Sequence, residues 1–254
     1  MQLKGATAIV TGGGTGIGRA VCLDLARAGV QGIVVNYSRS GAEAESTVSE
    51  LAALGATAVA VKADVSREAE VRDLVALGME RFGRLDVLIN NAGTTRFIPI
   101  GDLDAVTDEV WQAILGVNLL GPWYAARAAA PHLKAAHGCI VNVASIAGLR
   151  ASGSSLPYGV SKAALTHLTS WLAMALAPEV RVNAVNPGRV SSRWFRQPFG
   201  EEAAAAQDAA SAERTPLRRV VTPEDVSQAV MGFIASDAVT GQHLVVDGGV
   251  SIGY

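Results

Sequence analysis

Apolar and polar positions along this chain fall in blocks rather than alternating residue by residue. Short runs rich in Val, Ile and Ala recur at 6–10, 32–36, 58–62, 87–90, 140–143, 180–185 and 244–246. None shows the in–out alternation of a half-exposed strand, so each reads as a strand covered on both faces. Between them lie longer stretches with apolar residues three and four apart, which predict helices over 17–28, 41–54, 67–82, 107–136, 158–177 and 223–235. Ser66, Thr107 and the Thr222, Pro223 pair supply helix-start signals. Strands joined through helices run parallel, and right-handed crossovers wind such a series into one open sheet. The expected fold class is α/β, a doubly wound parallel seven-stranded sheet in three layers, α/β/α. No linker or repeat interrupts residues 1–254, so one domain is expected, with 189–217 too long for a plain connection and read as a lid.

Composition narrows the function classes. Half of the 254 residues are hydrophobic and 17% are charged, which implies a sizeable buried core. A formal charge of −2, with no basic run, argues against a nucleic-acid partner. No apolar run reaches the length of a membrane span, and residues 1–10 lack a leader layout, so a soluble cytoplasmic protein without membrane contact is expected. Cys22 and Cys139 sit in apolar segments without metal-ligand spacing, so no metal site is expected.

The 27 glycines matter through where they cluster. The first strand runs directly into Thr11, Gly12, Gly13, Gly14, Thr15, Gly16, Ile17 and Gly18, and then into a helix. Such a turn lets backbone approach a pyrophosphate, and the free N–H groups at the helix start favour the anion. Further along stand Asn90, Asn91, Ala92 and Gly93 at the fourth strand end, Asn118 inside the long helix, and Ser145 after the fifth strand. Tyr158 and Lys162 share one helix face, and Pro187 and Gly188 end the sixth strand.

In order and spacing, over essentially the whole chain, these motifs resemble the short-chain dehydrogenase/reductase family. The resemblance implies a Rossmann-like fold, a nicotinamide cofactor, a homotetramer or homodimer, and hydride transfer between the cofactor and a carbonyl or secondary alcohol. It assigns Asn118, Ser145, Tyr158 and Lys162 to catalysis. Tyr158 would be the acid/base, Ser145 would bind the carbonyl oxygen, and Asn118 would mark a kink that holds a proton-relay water. Lys162 would bind the nicotinamide ribose, and its ammonium is expected to lower the phenol pKa. Cofactor contacts are expected from Gly12, Thr15, Gly16, Ile17, Gly18, Asp64, Val65, Asn91, Ala92, Gly93, Pro187, Gly188, Val190 and Ser192. Asp64 would hold the adenine amino group or cap the next turn.

The end of the second strand selects between cofactors, because a carboxylate there would repel a 2′-phosphate. This chain has Asn36 at that place, followed by Ser38 and Arg39, which predicts NADP(H) preferred and NAD(H) possible. Against this stands Thr15, where many NADP-dependent relatives carry a basic residue. The substrate is a small molecule, its pocket walled by Thr95, Ile146, Leu156, Trp194 and Phe195. Members that reduce 3-ketoacyl groups on acyl carrier protein carry basic residues where this chain has Ala135, Ala136, Pro178 and Glu179. That reading is kept as an alternative, as is a non-catalytic nucleotide-binding or regulatory protein; an epimerase or dehydratase would bring a longer carboxyl-terminal region. Trp111, Trp123, Tyr124, Leu168, Trp171 and Leu172 exceed what packing on one sheet face requires, and with the tail through Tyr254 they predict subunit contacts.

Overall fold

The computed structural model describes residues 1–252; Gly253 and Tyr254, the end of the expected contact tail, lie outside the described residues. Seven strands, β1 (Thr7–Val10), β2 (Gly32–Tyr37), β3 (Thr57–Lys62), β4 (Val87–Asn90), β5 (Cys139–Val143), β6 (Arg181–Pro187) and β7 (His243–Val246), form one sheet. Its order is β3-β2-β1-β4-β5-β6-β7, with every neighbouring pair parallel. The order reverses between β1 and β4, and this switch point opens a crevice at the carboxyl ends of the strands.

Alternate residues of the five inner strands feed two cores, whereas the edge strand β7 leaves His243 and Leu244 exposed, against the expectation that its run is covered on both faces. Ala8, Val10, Ile33, Val35, Val87 and Ile89 pack with α1 (Gly16–Arg27), α2 (Gly41–Ala53) and α9 (Pro223–Ala235). Ile9, Val34, Leu88, Ile140 and Val182 pack under α3 (Glu68–Phe82), α5 (Gly121–Ala136) and α6 (Leu156–Leu176). Continuous apolar strands are the consequence of this double coverage.

The helix expected over 107–136 is broken. It runs as α4 (Asp108–Leu115), a π-helical turn at Gly116–Leu120, and then α5. Asn118 sits in that turn and is fully buried, so a side chain poorly suited to a helix interior coincides with the local unwinding. The 189–217 segment contains α7 (Arg193–Phe199) and α8 (Glu201–Arg214). Arg189 ties them to the strand ends by pairing with Asp208 at 2.5 Å and stacking 4.0 Å above the Phe195 ring. The surplus of large apolar residues is smaller than expected, since Leu172 belongs to the core and Tyr124 and Leu168 pack against it. Trp171 remains 65% and Met174 80% exposed on α6. Among the described residues, no helix is long and apolar enough to cross a membrane.

Candidate active site

The glycine turn is held from below. Thr11 Oγ1 accepts the N–H groups of Asn91 and Ala92, at 2.9 and 3.0 Å, and Asn91 Nδ2 donates to the Thr11 and Gly12 carbonyls, both at 3.0 Å. Gly18 lies so close to this turn that a Cβ there would stand 2.2 Å from the Gly12 oxygen. Thr15 precedes α1 without capping it through its side chain, which leaves the helix-start N–H groups for an anion. At Gly16 (φ +51°) a Cβ would meet only the Ser192 side chain, 3.9 Å across a trough. A cavity of about 260 Å³ continues this trough along Gly14, Thr15, Gly16, Arg19, Glu43 and Ser46. Ile17 turns back against the core.

Asn36 is placed differently from the expectation. It is 1% exposed, its Oδ1 accepts from the Gly12 N–H at 3.3 Å, and its Nδ2 donates to the Val61 and Ala63 carbonyls at 3.3 and 3.0 Å. Its amide therefore braces the glycine turn against β3 and is not presented to an adenosine ribose. Ser38 and Arg39 just beyond it are exposed. Val65 also faces inward, buried against Gly121 at the start of α5, so its side chain is not a cofactor contact. Asp64 caps the following turn, its Oδ1 accepting from the Ser66 N–H at 3.0 Å and the Ser66 hydroxyl at 2.7 Å; Oδ2 faces Arg67 at 4.0 Å.

The reaction end gathers residues from four segments. Ser145 leaves β5 and opens a short 3₁₀ turn, Ile146–Gly148, accepting from the Ala147 N–H at 3.2 Å and donating to the Pro187 carbonyl at 3.4 Å. That turn lies directly on α6, where a Cβ at Gly148 would stand 2.5 Å from the Ala163 nitrogen. This close packing sets Ser145 opposite Tyr158 and Lys162. Lys162 is 4% exposed and donates to the Val143 carbonyl at 2.8 Å, with Nζ 5.8 Å from the Tyr158 ring centroid. Burial lowers its pKa to about 8.

Tyr158 as a whole is half-buried, but the crowding of its hydroxyl end raises the phenol above its ordinary value, with the Ser145 hydroxyl only partly offsetting this. The shift is thus opposite to the lowering expected from Lys162: burial of the hydroxyl end raises the phenol and outweighs the hydrogen bond with Ser145.

Asn118 connects the loop after β4 to α6. Its Oδ1 accepts from the Thr94 N–H at 2.8 Å, and its Nδ2 donates to the Thr94 carbonyl and the Ser161 hydroxyl, both at 3.0 Å. Its side chain is therefore committed to protein groups. Sequence reasoning misses Thr94 and Ser161, although Ser161 directly precedes Lys162 in the chain.

Above this floor lies α7. The Trp194 ring is 6.1 Å from that of Tyr158, and its edge closes on Gly93, beside Asn118 and Lys162. Phe97 meets Phe195 and Phe199, with centroids 6.0 and 4.7 Å apart. Ile146 is buried and Leu156 is exposed at the rim. Thr95 and the Ile98 N–H bond to Ser154, zipping the loop to the residues ahead of Tyr158. At the end of β6, Gly188 packs against Asp247, Val190 bridges to Val221, and Ser192 stands over Gly16.

The trough fits a dinucleotide: backbone donors at one end, a bare Gly93 beside Asn118 and Lys162 at the other, and a strap of residues across the middle. Residues 12–251 match the family model described as enoyl-(acyl carrier protein) reductase, and the chain belongs to the short-chain dehydrogenase/reductase family. It is an oxidoreductase acting on carbonyl or CH–OH groups with a nicotinamide cofactor. It is 46% identical to a granaticin polyketide synthase protein of Streptomyces violaceoruber named as a ketoacyl reductase, over 96% of each chain. It is 35% identical to a 3-oxoacyl-[acyl-carrier-protein] reductase of Synechocystis, over 98% of each. A short-chain dehydrogenase from Burkholderia cenocepacia, solved in complex with NADP, superposes with a TM-score of 0.88 at 34% identity, over 99% of this chain and 100% of that one.

Proposed function

We propose that this protein is an NADPH-dependent ketone reductase acting on an apolar, polyketide-type carbonyl compound, with Ser145, Tyr158, Lys162 and Asn118 as its working residues. The observation that carries this is the convergence of the Ser145 and Tyr158 hydroxyls beneath an aromatic roof of Trp194, Phe195 and Phe97. The cofactor, when bound, supplies hydride from the nicotinamide ring to the carbonyl carbon. Ser145 donates a hydrogen bond to the carbonyl oxygen, stabilising the charge that develops there. The raised pKa of Tyr158 keeps its proton in place at neutral pH, ready for the nascent alkoxide. Lys162 provides the positive field beside the phenolate left behind, and Asn118 holds the Gly93–Thr94 backbone against α6.

Exposed Ser38 and Arg39 offer a hydroxyl and a guanidinium to a 2′-phosphate, which together with the NADP complex of the Burkholderia relative supports NADPH over NADH. The relatives named for ketoacyl reduction favour a β-keto carbonyl. Carrier-reducing members place basic residues where this chain has Ala135, Ala136, Pro178 and Glu179, and the neighbouring Lys134 is paired with Glu179 at 3.5 Å, which favours a free compound or a small thioester. Trp171 and Met174 on α6, with Trp123 on α5, supply an apolar face for a homotetramer or homodimer, and two buried free thiols suit the reducing cytoplasm. The test is kcat/KM with NADPH and with NADH across bicyclic aromatic ketones, β-ketoacyl thioesters and simple sugars. The proposal expects turnover of the first two groups with NADPH; activity confined to sugars, or a clear NADH preference, overturns it.

A further inference from the structure

Three consecutive residues cross the cofactor trough. Ser192 stands 3.9 Å from a Cβ built on Gly16, Trp194 reaches Gly93 and Tyr158, and Arg193 between them forms an ion pair with Glu43 in the first turn of α2. The pair therefore spans from the lid to the far wall of the cavity lined by Gly14, Thr15 and Gly16. Both partners are 45% exposed, and an ion pair so open contributes little to stability, so its position calls for another account. The facing wall is unfavourable to an anion as it stands. Glu43 adds a carboxylate where phosphates would lie, and Arg19, the other guanidinium there, is engaged by Glu50 through two nitrogens.

Resting on the nicotinamide-cofactor reading, we propose that Arg193 is a cofactor-phosphate ligand delivered by the lid, and that Glu43 is its positioning residue. A guanidinium has enough donors to keep one nitrogen on Glu43 while turning others down onto phosphate oxygens. It thus cancels the carboxylate and binds the anion in one placement, and closes the lid over the cofactor as it does so. Ser192 and Trp194 on either side bring the same stretch of chain onto both ends of the trough.

The charge arrangement makes a test in which the sign reverses. Dissociation constants for NADPH and NADH are measured by nucleotide fluorescence titration with the wild type, R193Q, and the double variant R193Q/E43Q. Both positions are half-exposed, and thermal unfolding of each variant checks that the fold is kept. R193Q is expected to weaken binding at least about tenfold, since a charged hydrogen-bonded pair is lost and Glu43 is left facing the anion. Adding E43Q removes that repulsion, so the double variant should bind more tightly than R193Q alone. Equal loss for both nucleotides places Arg193 on the pyrophosphate, and loss confined to NADPH places it on the 2′-phosphate. Unchanged affinity in R193Q, or a double variant no tighter than R193Q, overturns the inference. Absence of NADPH and NADH binding in the wild type would instead overturn the cofactor reading on which it rests.

Discussion

Replacing Lys162 by Met removes a charge that folding takes out of water, and the consequence is a pH-dependent difference in stability that can be worked out beforehand. Lys162 is 4% exposed, and its pKa falls from 10.5 to about 8 in the folded protein. At about 1.4 kcal/mol for each unit of pKa, the ammonium form costs the native state about 3 kcal/mol at pH 7. The sign follows from proton binding. Between about 8 and 10.5 the unfolded chain holds the proton that the native state has released, so stability rises with pH across that window. Integrated from pH 7 to 9.5, wild type should gain about 2 kcal/mol relative to K162M, in which this titration is absent. Loss of the 2.8 Å bond to the Val143 carbonyl offsets part of the benefit at every pH and leaves the pH-dependent difference intact. Urea unfolding of both proteins at pH 7 and 9.5 measures it, and the other titrating groups cancel because the two chains share them. If the wild-type and K162M unfolding free energies keep the same separation at both pH values, the buried-ammonium account is wrong.

Two further substitutions probe the frame around the site. Asn118→Ala leaves the part-buried N–H and carbonyl of Thr94 without their partners, so urea unfolding should show a loss of about 1–3 kcal/mol; a loss below about 0.5 kcal/mol would mean the loop finds other partners. Gly18→Ala puts a methyl 2.2 Å from the Gly12 oxygen and 2.5 Å from Asn91 Nδ2. Backbone must move, so titration should show NADPH affinity reduced on the order of 100-fold in a still-folded protein; wild-type affinity would mean that the turn does not carry the phosphate.

The sheet was readable because its inner strands, covered on both sides, had to be apolar throughout, as Ile33, Val34 and Val35 show by entering opposite cores. Element ends were less legible. The sixth strand runs to Pro187, where the Pro187, Gly188 pair places its end, although the apolar run stops at residue 185; Asn183 and Asn186 are polar yet buried within it. The 107–136 pattern gave no sign of its interruption except Asn118, because a π-helical turn hardly alters apolar spacing. Asn36 was misplaced for a related reason: whether a polar residue at a strand end faces ligand or braces a neighbouring turn depends on what packs beside it, here Gly12 and Ala63. The phenol pKa erred because the lysine's attraction could be read from spacing, while the desolvation opposing it arises only in the folded site. Arg193 and Glu43 are 150 residues apart, and their pairing depends on the path of the lid.

The central claim, that Tyr158 gives its proton to the substrate oxygen, is tested most directly by Tyr158→Phe. With an accepted ketone, the fall in NADPH absorbance should slow by about 10²–10⁴-fold, the range lost with a general acid. The dissociation constant for NADPH should stay unchanged, because the ring and its contact with Trp194 persist. Turnover near the wild-type rate in Tyr158→Phe, with the cofactor bound normally, would contradict the account.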